Sequence, residues 1–546
     1  MPYLDQYTQP LTAATAAHLL RRATFGPTQT EITNFTGLTA AQAVQQLINN
    51  ANYSPPPPID LDSTQPTAGQ TYLDKPFNGD RAFDFGNYLR HWWLGLMTSQ
   101  TALPSLLDKL TLFWQNHFVT TFTIVGDYRY VYQYLQLLRN NALGNFRTLV
   151  TKISKEPAML AYLNGNENEV GKPNENYARE LQELFTVGAF DFAGNKNYSE
   201  DDVKAVARVL TGWKNTNSWV VGSTSFGTTF TLSKHDKLDK VFSASYNNTI
   251  PNNTIVGRST ATAGDDELND LVTMLLKHPQ TPRFICRKLY RWYVNPNVTQ
   301  TIEDNVIIPL AQFFASAQNN YAIQPVIVKL LTSQIFFDDS NRGAIVKSPV
   351  ELAVGTMRFF NQPVPDMTTD YAAFKVYFDF MFWRMYDMQM ALIDQPSVFG
   401  YEPYYQTGYS KIWMNTTTIA LRSDYTDAYI WRWLEVKPGY KMGIDVLAWA
   451  TSLQPNFSDV AGTAPISCVD VQVAFSKNLF ATDLFQSQKD FLIDTIMMQG
   501  IPRSSWTFEW NAYRTAPTDT NKRNGVTWRL QNLMKYMLRM AEYHIS

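Results

Sequence analysis

The run Asn174-Glu175-Asn176-Tyr177-Ala178-Arg179-Glu180-Leu181-Gln182-Glu183-Leu184-Phe185-Thr186-Val187-Gly188 reads as one amphipathic helix. Tyr177, Leu181, Leu184 and Gly188 recur at the spacing that lines one face of an α-helix and neither face of a strand. Asn174 can accept a backbone N–H at a helix start, and Gly188 tolerates the left-handed backbone of a helix end. Just beyond, Ser199 and Asp202 have capping-box spacing, and Val203, Val206, Ala207 and Leu210 form the apolar stripe of a second helix ending near Thr211-Gly212-Trp213. Helix succeeds helix, which sets the class.

The flanking chain repeats the pattern. Thr12 caps a helix through Leu19 and Leu20 that stops at Phe25-Gly26-Pro27, and Thr28 with Glu31 and Thr39 with Gln42 have capping-box spacing. Pro55 to Pro58 give an extended spacer, followed by a polar stretch and a further helical region from about Arg81. Leu106, Leu110, Phe113, Trp114, His117 and Phe118 again follow helical spacing, as does Tyr128 to Leu138. Between Ser218 and Arg258, Val220, Phe230, Leu232 and Phe242 stand among Thr, Ser, Gly and Asn, a mixture that favours short strands and turns.

Helical periodicity returns with Leu268, Leu271, Val272 and Leu275, and Pro279 opens a helix carrying Ile285, Leu289 and Trp292. From Ala372 to Leu392 apolar and aromatic residues occupy nearly every side of a helix, as in a buried central element. Trp528 to Met540 reads as an amphipathic helix with Leu530, Leu533, Met534 and Met537 on one face. The expectation is a mainly α fold: one large multi-helical domain over 1–546, with a proline-containing loop at 55–80 and a β-rich insertion at 218–258. A helical C-terminal half at 340–546 is expected as a subdomain.

Composition bounds the function. With 45% hydrophobic and 14% aromatic residues the chain can bury a large core without metals or disulfides. Lys plus Arg (46) nearly balances Asp plus Glu (48), so no broad field attracts nucleic acid or anionic lipid. Two cysteines, Cys286 and Cys468, exclude a disulfide framework and a four-thiolate zinc site. Neither a signal peptide nor a membrane-spanning stretch is legible, so a cytoplasmic location is the default expectation, with the cell envelope or secretion as the alternative.

The chemistry-bearing candidates cluster in a few places. At about 100° per residue Asn176, Glu180 and Glu183 share a stripe beside the apolar face, with Arg179 farther round. Two carboxylates one turn apart can share a divalent cation, divide acid and base roles, or pair with Arg179; a solvated face with intrahelical ion pairs is the bland alternative. His117 lies on the apolar face of its helix, where a hydrogen-bonded core histidine competes with an acid–base or ligand role, and Asn116 precedes it. His235-Asp236 stands within the β-rich segment, after Phe230 and Leu232, in an expected loop that could present both to a site. Arg283, Arg287 and Arg291 make a stripe at successive turns, a solvated face able to meet acidic groups. There is no phosphate-binding glycine loop, no nucleophile elbow, no His-Glu-x-x-His and no closely spaced Cys/His set.

The Asn174–Gly188 run, followed by Tyr198-Ser199-Glu200-Asp201-Asp202-Val203 and Leu210-Thr211-Gly212-Trp213, resembles the signature of the bacterial domain of unknown function 1800 family. Further similar blocks are His18 to Gly26, Phe113 to Phe118, His235-Asp236 and His278 to Val294, with a looser match at Gln395 to Gly400 and Trp413 to Arg422. Gln115 stands where the family pattern has a histidine, which weakens a two-histidine metal site there, and the residues after Asp236 also depart from the pattern. The resemblance implies membership and no particular activity. It also implies a protein partner from the neighbouring family of unknown function 1501.

Two functions remain open on sequence. One is an enzyme or divalent-cation site using Glu180, Glu183 and Arg179 with His235, Asp236 or His117, and with Asn176 and Asn116 as ligand-binding groups. The other is a non-catalytic binding or assembly protein in which these groups hold helices in register. The second predicts that Arg179 is engaged by Glu180, Glu183 or Asp202. A nucleic-acid role is not expected, and the sequence leaves cofactor and oligomeric state open.

Overall fold

A computed structural model describes residues 3–99, 103–405, 408–453 and 466–546. The fold is mainly α: helices pack on helices, and strands occur only as short antiparallel pairs among the described residues. Local sequence sets many of the boundaries. Thr12, Thr28, Thr39, Ser199, Ser348 and Ser467 each cap a helix with a reciprocal capping box, so the first orphan N–H groups are satisfied within the segment.

The helices Ala13–Ala23, Gln29–Phe35 and Ala40–Asn49 open the chain, followed by Ala82–Thr98, Leu107–His117 and Tyr128–Asn141. Two strand pairs involve the expected β-rich stretch at 218–258, and the first of them opens ahead of it, at Trp213. Trp213–Thr216 pairs with Gly227–Phe230 in the register Trp213↔Phe230, and Lys240–Val241 pairs with Thr254–Ile255. A third pair, Leu434–Lys437 with Tyr440–Met442, lies near the C-terminal helices. The last long helix, Thr520–Arg539, buries Leu530, Leu533, Met534 and Met537.

Buried apolar residues from Leu11 to Tyr543 form one hydrophobic cluster. Arg22, itself buried, ties distant segments together by donating to the carbonyls of Tyr293, Val294, Asn341 and Ser546. Both cysteines are buried and free. Among the described residues no helix is long and apolar enough to cross a membrane.

One element differs from its pattern. The Tyr371–Asp387 helix buries Phe374, Tyr377, Phe378, Met381 and Phe382, yet Val376, Trp383 and Tyr386 are exposed on its other side. Its aromatic residues are therefore not all core. Trp383 and Tyr386 contact each other edge to face at 5.5 Å, which shields part of their apolar surface without burying it.

Candidate functional site

The helix Glu175–Glu180 begins as expected, with the Asn174 side chain accepting from the Asn176 N–H at 3.0 Å. Tyr177 enters the core and donates to Ser154 Oγ at 2.7 Å. The α-helix then ends at Glu180 and widens into a π-turn over Leu181–Thr186. The segment ends at Thr186, so its last carbonyls lack backbone partners and are open to side-chain donors. Here the Phe185 carbonyl meets His117 Nε2 at 3.0 Å, and the Leu184 carbonyl meets Lys288 Nζ at 3.3 Å.

His117 is sealed in this junction. Its Nδ1 accepts from Lys288 Nζ at 3.1 Å, which fixes the proton on Nε2 for donation to Phe185. Burial, reinforced by the Lys288 charge, pushes the imidazole well below the ordinary histidine range, so the ring stays neutral. Lys288 is buried too, its ammonium 4.2 Å from the centre of the Tyr405 ring and 4.9 Å from that of Phe284. Burial, then the nearby Arg291, lowers its pKa to about 7. Asn116 faces another segment: its Oδ1 accepts from the Tyr401 N–H at 2.7 Å, and Gln115 and Gln395 join through their side-chain amides. Gly400 has φ +74°, and a Cβ there would stand 2.6 Å from the Asn116 carbonyl oxygen. The Phe113–Phe118 block thus docks on the 395–401 loop.

His235 and Asp236 lie in a second, separate network rather than in an open loop. His235 Nδ1 lies 2.9 Å from the Thr211 carbonyl, and Nε2 lies 3.2 Å from Glu267 Oε1. Glu267 also binds Lys240 Nζ at 2.5 Å and the Arg258 N–H at 2.7 Å. Asp236 takes a two-point ion pair from Arg208 at 2.7 and 3.2 Å. His235, Glu267 and Lys240 are all fully buried, so the cluster braces the strand pairs against the Ala263–Lys277 helix.

The remaining candidates face outward. Arg179 pairs with Glu200 at 2.7 Å and with Glu175 at 3.5 Å, and not with Glu180, Glu183 or Asp202 as the network reading expects. Its side chain follows the solvent-facing side of the helix, where Glu175 and Glu200 lie. Asp202 instead turns inward to Ser199 and Ser243. Glu183 accepts from the Tyr198 hydroxyl at 2.8 Å, and Asn176 is exposed. Glu180 is half-buried; burial, then the Glu183 charge, pushes its carboxyl up to about 7 against the opposing pull of Arg179.

A carboxyl raised in the folded state contributes stability below its unfolded pKa that is lost as pH rises through the folded value. Glu180→Gln is therefore expected to stabilise the protein by about 1–2 kcal/mol at pH 8, after allowance for solvent screening, and by nothing at pH 4. Urea unfolding at both pH values checks it.

Among the described residues no hydrogen bond or ion pair joins the Asn176, Glu180 and Glu183 face to His117 or His235. Among the described residues no three His, Cys, Asp or Glu side chains are grouped to hold a metal ion. Sequence reasoning missed Lys288, Tyr198, Glu267 and Lys240. Lys288 carried a usable signal, because it falls between Ile285 and Trp292 on the apolar face of its helix. The arginine stripe beside it is also partly inside: Arg287 is buried against Glu303 at 2.6 and 2.7 Å, and Arg291 donates to the Tyr405 carbonyl.

Comparison with protein families matches residues 18–545 to the family described as "Protein of unknown function (DUF1800)". No curated protein and no solved structure matches the chain.

Proposed function

We propose that this chain, which belongs to the DUF1800 family, acts as a non-catalytic helical binding protein. Its family-like blocks serve to lock helices together. The observation that supports this reading is that all six histidines, His18, His91, His117, His235, His278 and His544, are buried. An imidazole that exchanges protons with a substrate needs access to it. His117 and His235 are instead held by backbone carbonyls, Lys288 and Glu267. Arg179, the natural anchor for an anionic group, is neutralised by Glu175 and Glu200. A protein partner, including one from the family of unknown function 1501, fits a binding role and remains part of the proposal.

The test separates this from a cation-dependent site at Glu180 and Glu183. The melting temperature of the wild type is expected to be unchanged by millimolar calcium, magnesium or manganese, because among the described residues no three His, Cys, Asp or Glu side chains are grouped to couple metal binding to folding. A rise in wild type that Glu180→Gln abolishes would overturn the proposal.

One observation favours a second reading, acid–base chemistry on the same face. Glu180 sits near neutrality while Glu183 is held by Tyr198, so two neighbouring carboxyls are placed in different environments. This reading requires a substrate to reach Glu180 from solvent without help from either histidine network.

A further inference from the structure

A cavity of about 560 Å³ lies apart from every residue discussed so far as a candidate. Its volume falls within the range of roughly 300–1,000 Å³ that small-molecule sites occupy. Segments far apart in sequence build it, among them the Thr24–Phe25 helix end, the 50–56 loop, the Ala82–Thr98 and Leu107–His117 helices, and the 363–368 loop. Trp92, Phe25, Met97, Leu107 and Phe374 make the wall mainly apolar and aromatic.

The polar groups of the lining are unevenly used. Most of its donors are already engaged in holding the wall. Trp92 Nε1 donates to the Pro56 carbonyl at 2.7 Å, and Asn50 Nδ2 to the Pro104 carbonyl at 2.9 Å. Arg358 bonds the Gly26 and Ser99 carbonyls and Glu31, while Arg139 bonds the Tyr53 carbonyl and Asp108 Oδ1. The Thr24 and Thr368 hydroxyls donate to the Leu20 carbonyl and to Asp366 Oδ1.

Acceptors are in surplus. Asp108 binds Arg139 through Oδ1 alone. Asp366 gathers the N–H and hydroxyl groups of Thr368 and Thr369 on Oδ1, leaving Oδ2. These bonds hold the Asp366 carboxyl below its ordinary range, so it is ionised at neutral pH. No Lys or Arg among the described residues forms an ion pair with Asp366, unlike Asp108 and the other carboxylate partners around the cavity.

A ligand for this cavity must therefore bring its own donors and a positive charge, and must offer apolar surface to the walls. We infer that the cavity is a binding site for a small organic amine with an apolar or aromatic body, its ammonium directed to the Asp366 and Asp108 carboxylates. The Trp92 ring supplies apolar wall for the ligand's body, while the Tyr53 ring is already covered by the Arg139 guanidinium at 5.8 Å. The inference rests on the binding-protein reading given above and names its ligand class.

The probe is 4-phenylbutylamine, with 4-phenylbutanoate as its charge-reversed counterpart, titrated into the full chain by calorimetry and intrinsic tryptophan fluorescence. The amine is expected to bind and the carboxylate to bind at least about tenfold more weakly. Asp366→Asn, on an exposed loop, is expected to weaken the amine by at least about tenfold. Leu96→Trp fills the cavity from its half-buried wall and is expected to abolish binding, with the circular dichroism spectrum checking the fold. Absence of amine binding at millimolar concentration, equal binding of both probes, or binding indifferent to Asp366→Asn overturns the inference. Conversion of a bound probe, followed by mass spectrometry, would overturn the non-catalytic reading and leave the site standing. Failure of the amine to bind leaves that reading standing and removes the site.

Discussion

Lys288→Met is expected to stabilise the protein at pH 6 and to destabilise it at pH 10.5. In the fold the Lys288 pKa is lowered to about 7, whereas an unfolded lysine titrates near 10.4. Between these values the unfolded chain binds a proton that the folded chain does not, so wild-type stability rises with pH across that window. Below pH 7 both states are charged, and burial of the ammonium costs about 5 kcal/mol. Methionine has a similar shape and no charge, so it removes that cost. It also removes the donors to His117 Nδ1 and the Leu184 carbonyl, a loss of about 1–3 kcal/mol. The net gain is about 2–4 kcal/mol at pH 6. Above pH 10 the desolvation cost has vanished from the wild type and only the lost bonds remain, so the sign reverses. Urea unfolding of both proteins at pH 6 and 10.5 reads the difference; a variant less stable at both pH values contradicts a depressed Lys288.

Glu267→Gln is expected to act in the opposite sense at the other buried cluster. The Lys240 ammonium and the His235 ring face the Glu267 carboxylate with no access to water, and Lys240 otherwise reaches only the Asp236 carbonyl. Replacing the carboxylate leaves a buried cation without its counter-charge, which costs about 3–5 kcal/mol. Removing both charges together, as Glu267→Gln with Lys240→Met, is expected to recover much of that loss, because an apolar replacement for an entire buried pair is tolerated better than half a pair. The four proteins of this cycle, compared by urea midpoint, give the coupling directly. A single variant within about 0.5 kcal/mol of wild type would show that the cluster is hydrated.

Helix boundaries were the most legible part of the fold because their signals are local. The Thr28 and Glu31 box, the Thr39 and Gln42 box and the Leu530 to Met537 stripe each act within a few residues and reappear in the structure. The π-turn at Leu181–Thr186 was not legible, since what uses its last carbonyls, His117 and Lys288, comes from two other helices. The same reason hides the environment of His235. Its partners Glu267 and Lys240 are brought to it by tertiary packing, and a His-Asp pair within a β-rich stretch looks like a loop until they arrive. Arg179 illustrates a finer limit: its spacing allowed several acidic partners, and only the approach of the Glu200–Val209 helix selects Glu200. The cavity near Trp92 left no trace in any motif, because the segments that line it meet only in the folded chain.

The most direct measurement is diethylpyrocarbonate modification of native protein at pH 7, mapped by mass spectrometry. The account predicts that His117 and His235 react no faster than the backbone opens, and that all six histidines react once the chain is unfolded in urea. Rapid modification of His117 or His235 in the native protein would contradict it, because a ring that the reagent reaches is a ring that a substrate can reach.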